Sequence, residues 1–183
     1  MRKDSLPQPT TIAARKYVSG AMVVGWGSES FRTLYHLVDR LPVMIAPAWL
    51  RTPTQPIGAD DVLSYLRLAP RTPASHGRSI EIGGPDVLSY GAMLDTVARA
   101  LGKRRPLMVP VPLLTPALSS RWIGLVTPVD TGVARPLIEG LSTETVVTDP
   151  SGAALFDVDS TPFAETVGKA LRERDAESAG RAA

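Results

Sequence analysis

The sequence predicts an α/β protein, because short apolar runs that suit buried strands alternate with stretches of helical periodicity. The clearest strand covers residues 21–24, an apolar run that ends at Gly25-Trp26-Gly27. The clearest helix has Ser89 as its N-cap and Gly102 as its C-terminal stop. Its apolar face carries Tyr90, Met93, Leu94, Val97 and Leu101.

The first half of the chain contains further elements of both kinds. A helix capped by Ser28 or Ser30 and ended by Pro42 carries an apolar stripe of Phe31, Leu34, Val38 and Leu41. Residues 43–45 are apolar and lie between prolines, as in an edge strand. A helix with Val62, Leu63 and Leu66 follows, and residues 79–82 alternate like a short strand.

The second half continues the alternation of strands and helices. Residues 107–111 and 145–147 read as strands, and residues 113–125 and 131–141 as helices. Thr161-Pro162 starts a last helix, since proline is tolerated in the first turn. Phe163, Val167 and Leu171 continue its apolar stripe.

Composition excludes several classes of function. The 183 residues suit about 1.2 domains, and 44% hydrophobic with 21% charged residues is ordinary for a globular protein. Twenty basic against 18 acidic residues leave a net charge of +2, too small for a nucleic-acid-binding surface. The absence of cysteine excludes disulfides, thiolate metal sites and thiol nucleophiles, and two histidines cannot form a three-histidine metal site.

The sequence also predicts a cytoplasmic protein without a transmembrane segment. Residues 1–16 have no apolar core of the kind found in secretory signals. The apolar block of residues 110–141 is interrupted by charges and prolines before it reaches the length of a membrane span. This block suits either core or a subunit contact, or else the lining of a lipid or quinone pocket.

A glycine-containing turn follows the first strand. Gly25-Trp26-Gly27-Ser28-Glu29-Ser30 is close to a GxGxxG fingerprint, but serine replaces the third glycine. The acidic residue at the expected distance, Asp39, lies inside the helix rather than after a second strand. The turn therefore reads as an ordinary strand-to-helix connection, which in an α/β sheet can still face a ligand.

Four other groups of residues could carry chemistry. Asp60-Asp61 favours helix capping over an acid–base pair, because adjacent helical residues diverge. The basic run 103–105 suits a helix C-terminus better than a phosphate site. His36 and His76 have no neighbouring serine and acid to form a triad, so no catalytic residue is assigned.

The loop of residues 51–56 is the best candidate for a ligand site on residue type alone. Arg51, Thr54 and Gln55 place a guanidinium, a hydroxyl and an amide in a rigid loop bounded by prolines. These groups either orient a polar small molecule or, equally well, satisfy the backbone of the loop itself.

Five motifs in order give the chain a family resemblance. They are residues 21–25 with Gly27-Ser28, Leu41-Pro42-Val43-Met44, residues 51–57 with Asp61-Val62, Ile82-Gly83-Gly84-Pro85, and Val109-Pro110-Val111-Pro112. This succession resembles the atypical short-chain dehydrogenase/reductase (SDR) superfamily, in its NmrA-like and complex I accessory-subunit-like branch of NAD(P)-binding proteins.

The resemblance implies a partial Rossmann-like sheet, made of C-terminal strands, with a helical C-terminal substrate-binding subdomain. It implies cofactor contacts at Val24, Gly25, Gly27 and Ser28, and substrate contacts at Arg51, Thr54 and Gln55. Residues 1–19 would be a poorly ordered lead-in, residues 20–171 the C-terminal half of an SDR-like domain, and residues 172–183 a solvent-exposed tail.

The resemblance covers only the back half of that family, whose phosphate-binding turn precedes the strand matched by residues 21–24. We therefore expect NAD(P) binding to be weakened or lost and hydride transfer by this chain alone to be absent. Two alternatives stay open: an interaction or oligomerisation module, and the C-terminal half of a split reductase whose partner chain supplies the front half.

Overall fold

A computed structural model describes residues 22–46, 48–110 and 143–182. Their backbone forms short strands, four α-helices and several turns of 3-10 helix. The strands are β1 (Val23–Val24), β2 (Val43–Ala46), β3 (Pro53–Thr54), β4 (Ile57–Gly58), β5 (Leu88–Ser89) and β6 (Leu107–Pro110). The helices are α1 (Glu29–Arg40), α2 (Ala59–Leu68), α3 (Tyr90–Ala100) and α4 (Phe163–Ala182).

The described strands associate in pairs. β1 lies parallel to β4 with Val23 opposite Ile57, and β2 lies parallel to β6 with Val43 opposite Leu107. β3 and β5 are antiparallel, and Thr145 adds a parallel bridge to Thr54. The α/β class predicted from the sequence is thus confirmed at the level of mixed helices and small sheets.

Three helices surround the main hydrophobic core. α1 packs on α3, and α3 packs on α4. Their apolar faces meet the side chains of β1, β2 and the 3-10 turn Ala48–Arg51. The most deeply buried core side chains include Val24, Phe31, Leu37, Met44, Met93, Leu94, Val97 and Val167.

The expected ends of α1 and α3 are confirmed. The Ser28 hydroxyl accepts from the amide of Phe31, and the Ser89 hydroxyl accepts from the amide of Ala92. After α3 the chain turns at Gly102 with φ +64°, a left-handed conformation that glycine adopts without steric cost. Local capping and periodicity therefore account for these two helices.

The predicted orientation of α2 is wrong. Neither Asp60 nor Asp61 caps the helix, because Gly58 occupies the N-cap position and no side chain bonds there. Leu63 and Leu66 are 46% and 45% exposed, whereas Asp61 and Tyr65 face inward. Tyr65 packs edge-on against Phe156, at 5.5 Å between ring centroids, and this packing turns the leucines outward.

Two predicted strands differ from the structure. Residues 79–82 form no strand, and the carboxylate of Glu81 instead accepts from the amides of Thr148 and Asp149. Within residues 145–147, Thr145 alone takes part in a bridge. The helices expected over residues 113–125 and 131–141 lie outside the described residues.

The last helix is longer than its apolar stripe predicts. Phe163, Val167 and Leu171 are buried as expected. Beyond them the chain remains helical to Ala182 instead of unwinding into the solvent, and residues 172–181 are mainly exposed. None of the described helices is long and apolar enough to cross a membrane.

Candidate functional site

The carboxyl ends of β1 and β4 form one edge of the fold. Because the two strands are parallel neighbours, the turn after Val24 and the turn after Ile57 lie side by side. Gly25 begins the first turn, which leads into α1, and Gly58 caps α2 directly. In α/β proteins ligands bind at this edge, beyond the carboxyl ends of parallel strands.

The lack of a side chain at Gly25 and Gly58 lets residues of α2 lie close to the backbone of both turns. A Cβ atom at Gly25 would lie 3.1 Å from the Cβ of Ala59, and one at Gly58 would lie 3.0 Å from Oδ2 of Asp61. Both distances are shorter than an ordinary van der Waals contact. A Cβ at Gly27, by contrast, would meet no atom within 4 Å, so the space above that residue is open.

A small recess of about 50 Å³ lies between these turns and α4. Val24 and Gly25 form one wall, and residues 58–61 form the second. The third wall comes from the start and middle of the last helix, with Thr161, Thr166, Lys169, Ala170 and Glu173. The volume admits a few waters or one small polar group.

Asp61 fixes the base of the recess. Its Oδ2 accepts from the backbone amide of Thr161 at 2.9 Å, and its Oδ1 accepts from the Thr161 hydroxyl at 3.2 Å. The side chain is 6% exposed, so these bonds replace most of its contact with water. Asp61 thereby joins the start of α2 to the segment that begins α4.

The recess carries an excess of negative charge. Asp60, Asp61 and Glu173 contribute three carboxylates, and Lys169 contributes the one ammonium among its lining residues. Lys169 forms an ion pair with Asp60. A neutral or cationic polar group suits this electrostatic environment, whereas a phosphate would be repelled.

Trp26 connects the first turn to the last helix. Its backbone amide donates to Oε2 of Glu173 at 3.2 Å, and its indole Nε1 donates to Oε2 of Glu177 at 2.7 Å. The indole packs edge-on against Tyr35, and the guanidinium of Arg174 lies 5.1 Å from the Tyr35 ring centroid. The turn and the exposed part of α4 are therefore in direct contact.

The predicted cofactor residues lie together in this turn, as their adjacency in sequence requires. Val24 and Gly25 line the recess, and Gly27 lies beside it in open space. Ser28 has a different role, since its hydroxyl caps α1 through the amide of Phe31. A contact of any of these residues with NAD(P) stays a prediction.

The predicted substrate residues are not among those lining the recess. Thr54 is fully buried, and its hydroxyl lies 2.7 Å from the hydroxyl of Thr145. Gln55 donates through Nε2 to the carbonyl of Gly84 and accepts through Oε1 from the amide of Val147. Gln55 thus satisfies loop backbone, as in the structural alternative left open by the sequence, whereas Thr54 contacts another side chain. Contact of either residue with a substrate stays a prediction.

The third member of that set, Arg51, is exposed at the end of a 3-10 turn. Its role in substrate binding stays a prediction. The structure thus separates the two groups of predicted residues: the turn 24–28 adjoins the recess, and the loop 51–55 is braced by the segment that contains Thr145 and Val147.

Sequence reasoning missed four residues of the site. The sequence places Trp26 in a turn and Asp61 at a helix cap, and it does not distinguish Lys169 or Glu173 from other residues of the last helix. Lys169 and Glu173 are four residues apart on a helix, a spacing that places both side chains on one face. That spacing was the available signal, but nothing local indicates that this face meets Trp26.

Several titratable side chains outside the recess have shifted pKa values, among them those of His36 and Tyr90. Burial lowers the pKa of His36, and the nearby cations Arg40 and Arg32 lower it further. Burial raises the pKa of Tyr90, against the effect of its hydrogen bond with Thr54. Within the described ranges no group of three or more histidine, aspartate or glutamate side chains could hold a metal ion.

Comparison with known proteins adds no family assignment. No protein-family model matches the chain, and no curated protein matches it.

Of a nicotinamide cofactor, only the nicotinamide end suits the residues that line the recess. The carboxamide is neutral, its ring is cationic in the oxidised form, and both suit a recess of negative charge. The pyrophosphate does not fit there, since three carboxylates surround the space and the amide of Trp26 already donates to Glu173.

Proposed function

We propose that the chain is an NAD(P)-binding protein of the atypical SDR type, which holds the nicotinamide end of the cofactor beside the turn 24–28. One observation carries this proposal: two parallel strands end side by side in glycine turns that lead directly into α1 and α2. Such an edge is where α/β folds bind their ligands. The Rossmann-like arrangement of the wider sheet is part of the same proposal.

The geometry supports a limited role in binding. The open space over Gly27 gives a ligand access to the turn, and the charge of the recess favours the nicotinamide end over the phosphates. Because the described elements offer contacts to the nicotinamide end only, we expect them to bind the cofactor weakly.

The test is to titrate the purified chain with two halves of the cofactor. Nicotinamide mononucleotide carries the end that suits the recess, and adenosine diphosphate carries phosphates without it. Ligand-observed NMR should show saturable binding of NADPH and of the mononucleotide, and weaker or no binding of adenosine diphosphate. Absence of saturation by NADPH and NADH up to about 1 mM, where binding free energy is only ~4 kcal/mol, overturns the proposal.

A matched pair of glycine variants locates the site. Gly27→Ala places a methyl group in the open space beside the recess, whereas Gly180→Ala makes the same change where nothing lies within 4 Å on α4. The first should weaken NADPH binding by about tenfold, and the second should leave it unchanged. Equal affinities for the two variants would place the ligand elsewhere.

A second candidate function is association with another chain. Among the described strands β1 has one partner, β4, and parallel strands are normally found inside larger buried sheets. A strand of a partner, or of a second copy, could extend the sheet at β1. Light scattering of the purified chain tests this: a dimer or higher assembly supports it, and a monomer at all concentrations contradicts self-association.

A further inference from the structure

The helix α4 is attached to the rest of the fold in two ways along its length. Up to Leu171 it is anchored in the core by buried side chains, among them Val167 and Ala170. From residue 172 onward the side chains are exposed or half-buried. Here the helix is held to the β1–α1 turn through Glu173 and Glu177, which contact Trp26, and through Arg174, which lies over Tyr35.

Glu173 and Glu177 act on one residue because they are four positions apart and lie on the same helix face. One carboxylate takes the backbone amide of Trp26 and the other takes its indole N–H. Both carboxylates are exposed, so each contact is individually weak. We therefore expect residues 172–182 to open locally more readily than the part of α4 that is buried in the core.

The position of Glu173 gives this contact a consequence for binding. The residue lines the recess and its carboxylate already bonds the amide of Trp26. We propose that residues 172–182 form an autoinhibitory latch, in which Glu173 competes with the carboxamide oxygen of the nicotinamide for the Trp26 amide while Glu177 holds the helix closed. This inference rests on the proposed function, since it concerns ligand binding at the same turn.

The competition follows from the shared donor. One N–H cannot bond Glu173 and a ligand oxygen with full strength at the same time, so binding of the carboxamide oxygen must draw on the population in which the latch is open. The apparent affinity falls by the fraction of molecules that are open. A change that opens the latch without altering the recess should therefore strengthen binding.

Glu177→Ala makes that change, because Glu177 bonds the indole but does not line the recess. Glu165→Ala is the matched control: it removes the same exposed side chain from the same helix, in its first turn. Hydrogen exchange of residues 172–182 reports the latch, and NADP⁺ titration reports its effect on binding. Trp26→Phe is a second opening variant, which removes the indole donor and keeps an aromatic ring against Tyr35.

In Glu177→Ala and Trp26→Phe we expect faster exchange of residues 172–182 and NADP⁺ binding roughly two- to fivefold tighter than in the unaltered chain, the range that loss of one exposed contact allows. Glu165→Ala should match the unaltered chain in both. Unchanged exchange in the two opening variants overturns the latch. Faster exchange with unchanged NADP⁺ affinity overturns the competition, and faster exchange with no NADP⁺ binding in any variant overturns the proposed function and the competition together.

Discussion

Replacing Asp61 should weaken the fold far more than replacing its neighbour Asp60. Both are acidic residues in the first turn of α2, but their surroundings differ. Asp61 is buried and accepts two hydrogen bonds from Thr161, whereas the side chain of Asp60 is 60% exposed and pairs with Lys169. The same substitution at adjacent positions thus compares a buried link with a surface ion pair.

The magnitudes follow from the contacts that are lost. Asp61→Ala leaves the amide of Thr161 without its acceptor at a half-buried position, at a cost of about 2 kcal/mol, and the loss of the hydroxyl bond adds ~1 kcal/mol. The total of about 3 kcal/mol corresponds to a fall in Tm of roughly 6 to 12 °C for a chain of this size. Asp60→Ala should cost less than ~1 kcal/mol, as exposed ion pairs do.

Urea denaturation followed by circular dichroism measures both variants against the unaltered chain. Asp61→Asn is a useful third variant, since it keeps the shape and one acceptor oxygen and should fall between the other two. Equal losses for Asp60→Ala and Asp61→Ala, or a loss below about 0.5 kcal/mol at Asp61, would refute the assignment of Asp61 as the link between α2 and the start of α4.

Two further predictions concern the loops. Gln55→Ala removes bonds to the Gly84 carbonyl and the Val147 amide, so it should lower the unfolding free energy by about 2 kcal/mol without any ligand present, measured by urea denaturation. An unfolding free energy equal to that of the unaltered chain would instead favour a ligand-binding role for Gln55. Hydrogen bonds from backbone amides, with that of Thr148 contributing most, hold the pKa of Glu81 below its ordinary 4.5 in the folded chain. The ionised carboxylate of Glu81 therefore stabilises the fold fully above pH 4.5, and this stabilisation is lost as the pH falls below that value. The stability difference between the unaltered chain and Glu81→Gln should accordingly vanish in acid, and a difference independent of pH would contradict this.

The helices that could be predicted from sequence are those whose signals are local. α3 has a serine at its N-cap, an apolar stripe at helical spacing and a glycine after its last turn, and all three features lie within 14 residues. α1 has the same kind of start at Ser28. Periodicity and capping determine such helices wherever they pack.

The orientation of α2 and the composition of the recess could not be predicted in this way. Asp61 is 100 residues from Thr161, and Trp26 is 151 residues from Glu177. An acidic residue in a first helical turn looks the same whether it caps its own helix or binds a distant amide. The contacts of Gln55 with Gly84 and Val147 likewise join positions 29 and 92 residues apart, and no local pattern indicates them.

The long-range contacts of Trp26 also bear on how the chain folds during synthesis. Trp26 and Glu173 are separated by 147 residues, which a ribosome takes about 7 to 30 s to translate. Until α4 emerges, the apolar side chains of β1 and α1 lack one of the helices that complete their core. The nascent protein therefore exposes apolar surface for many seconds. We expect chaperones to remain bound to the nascent chain until residues 163–171 have left the exit tunnel.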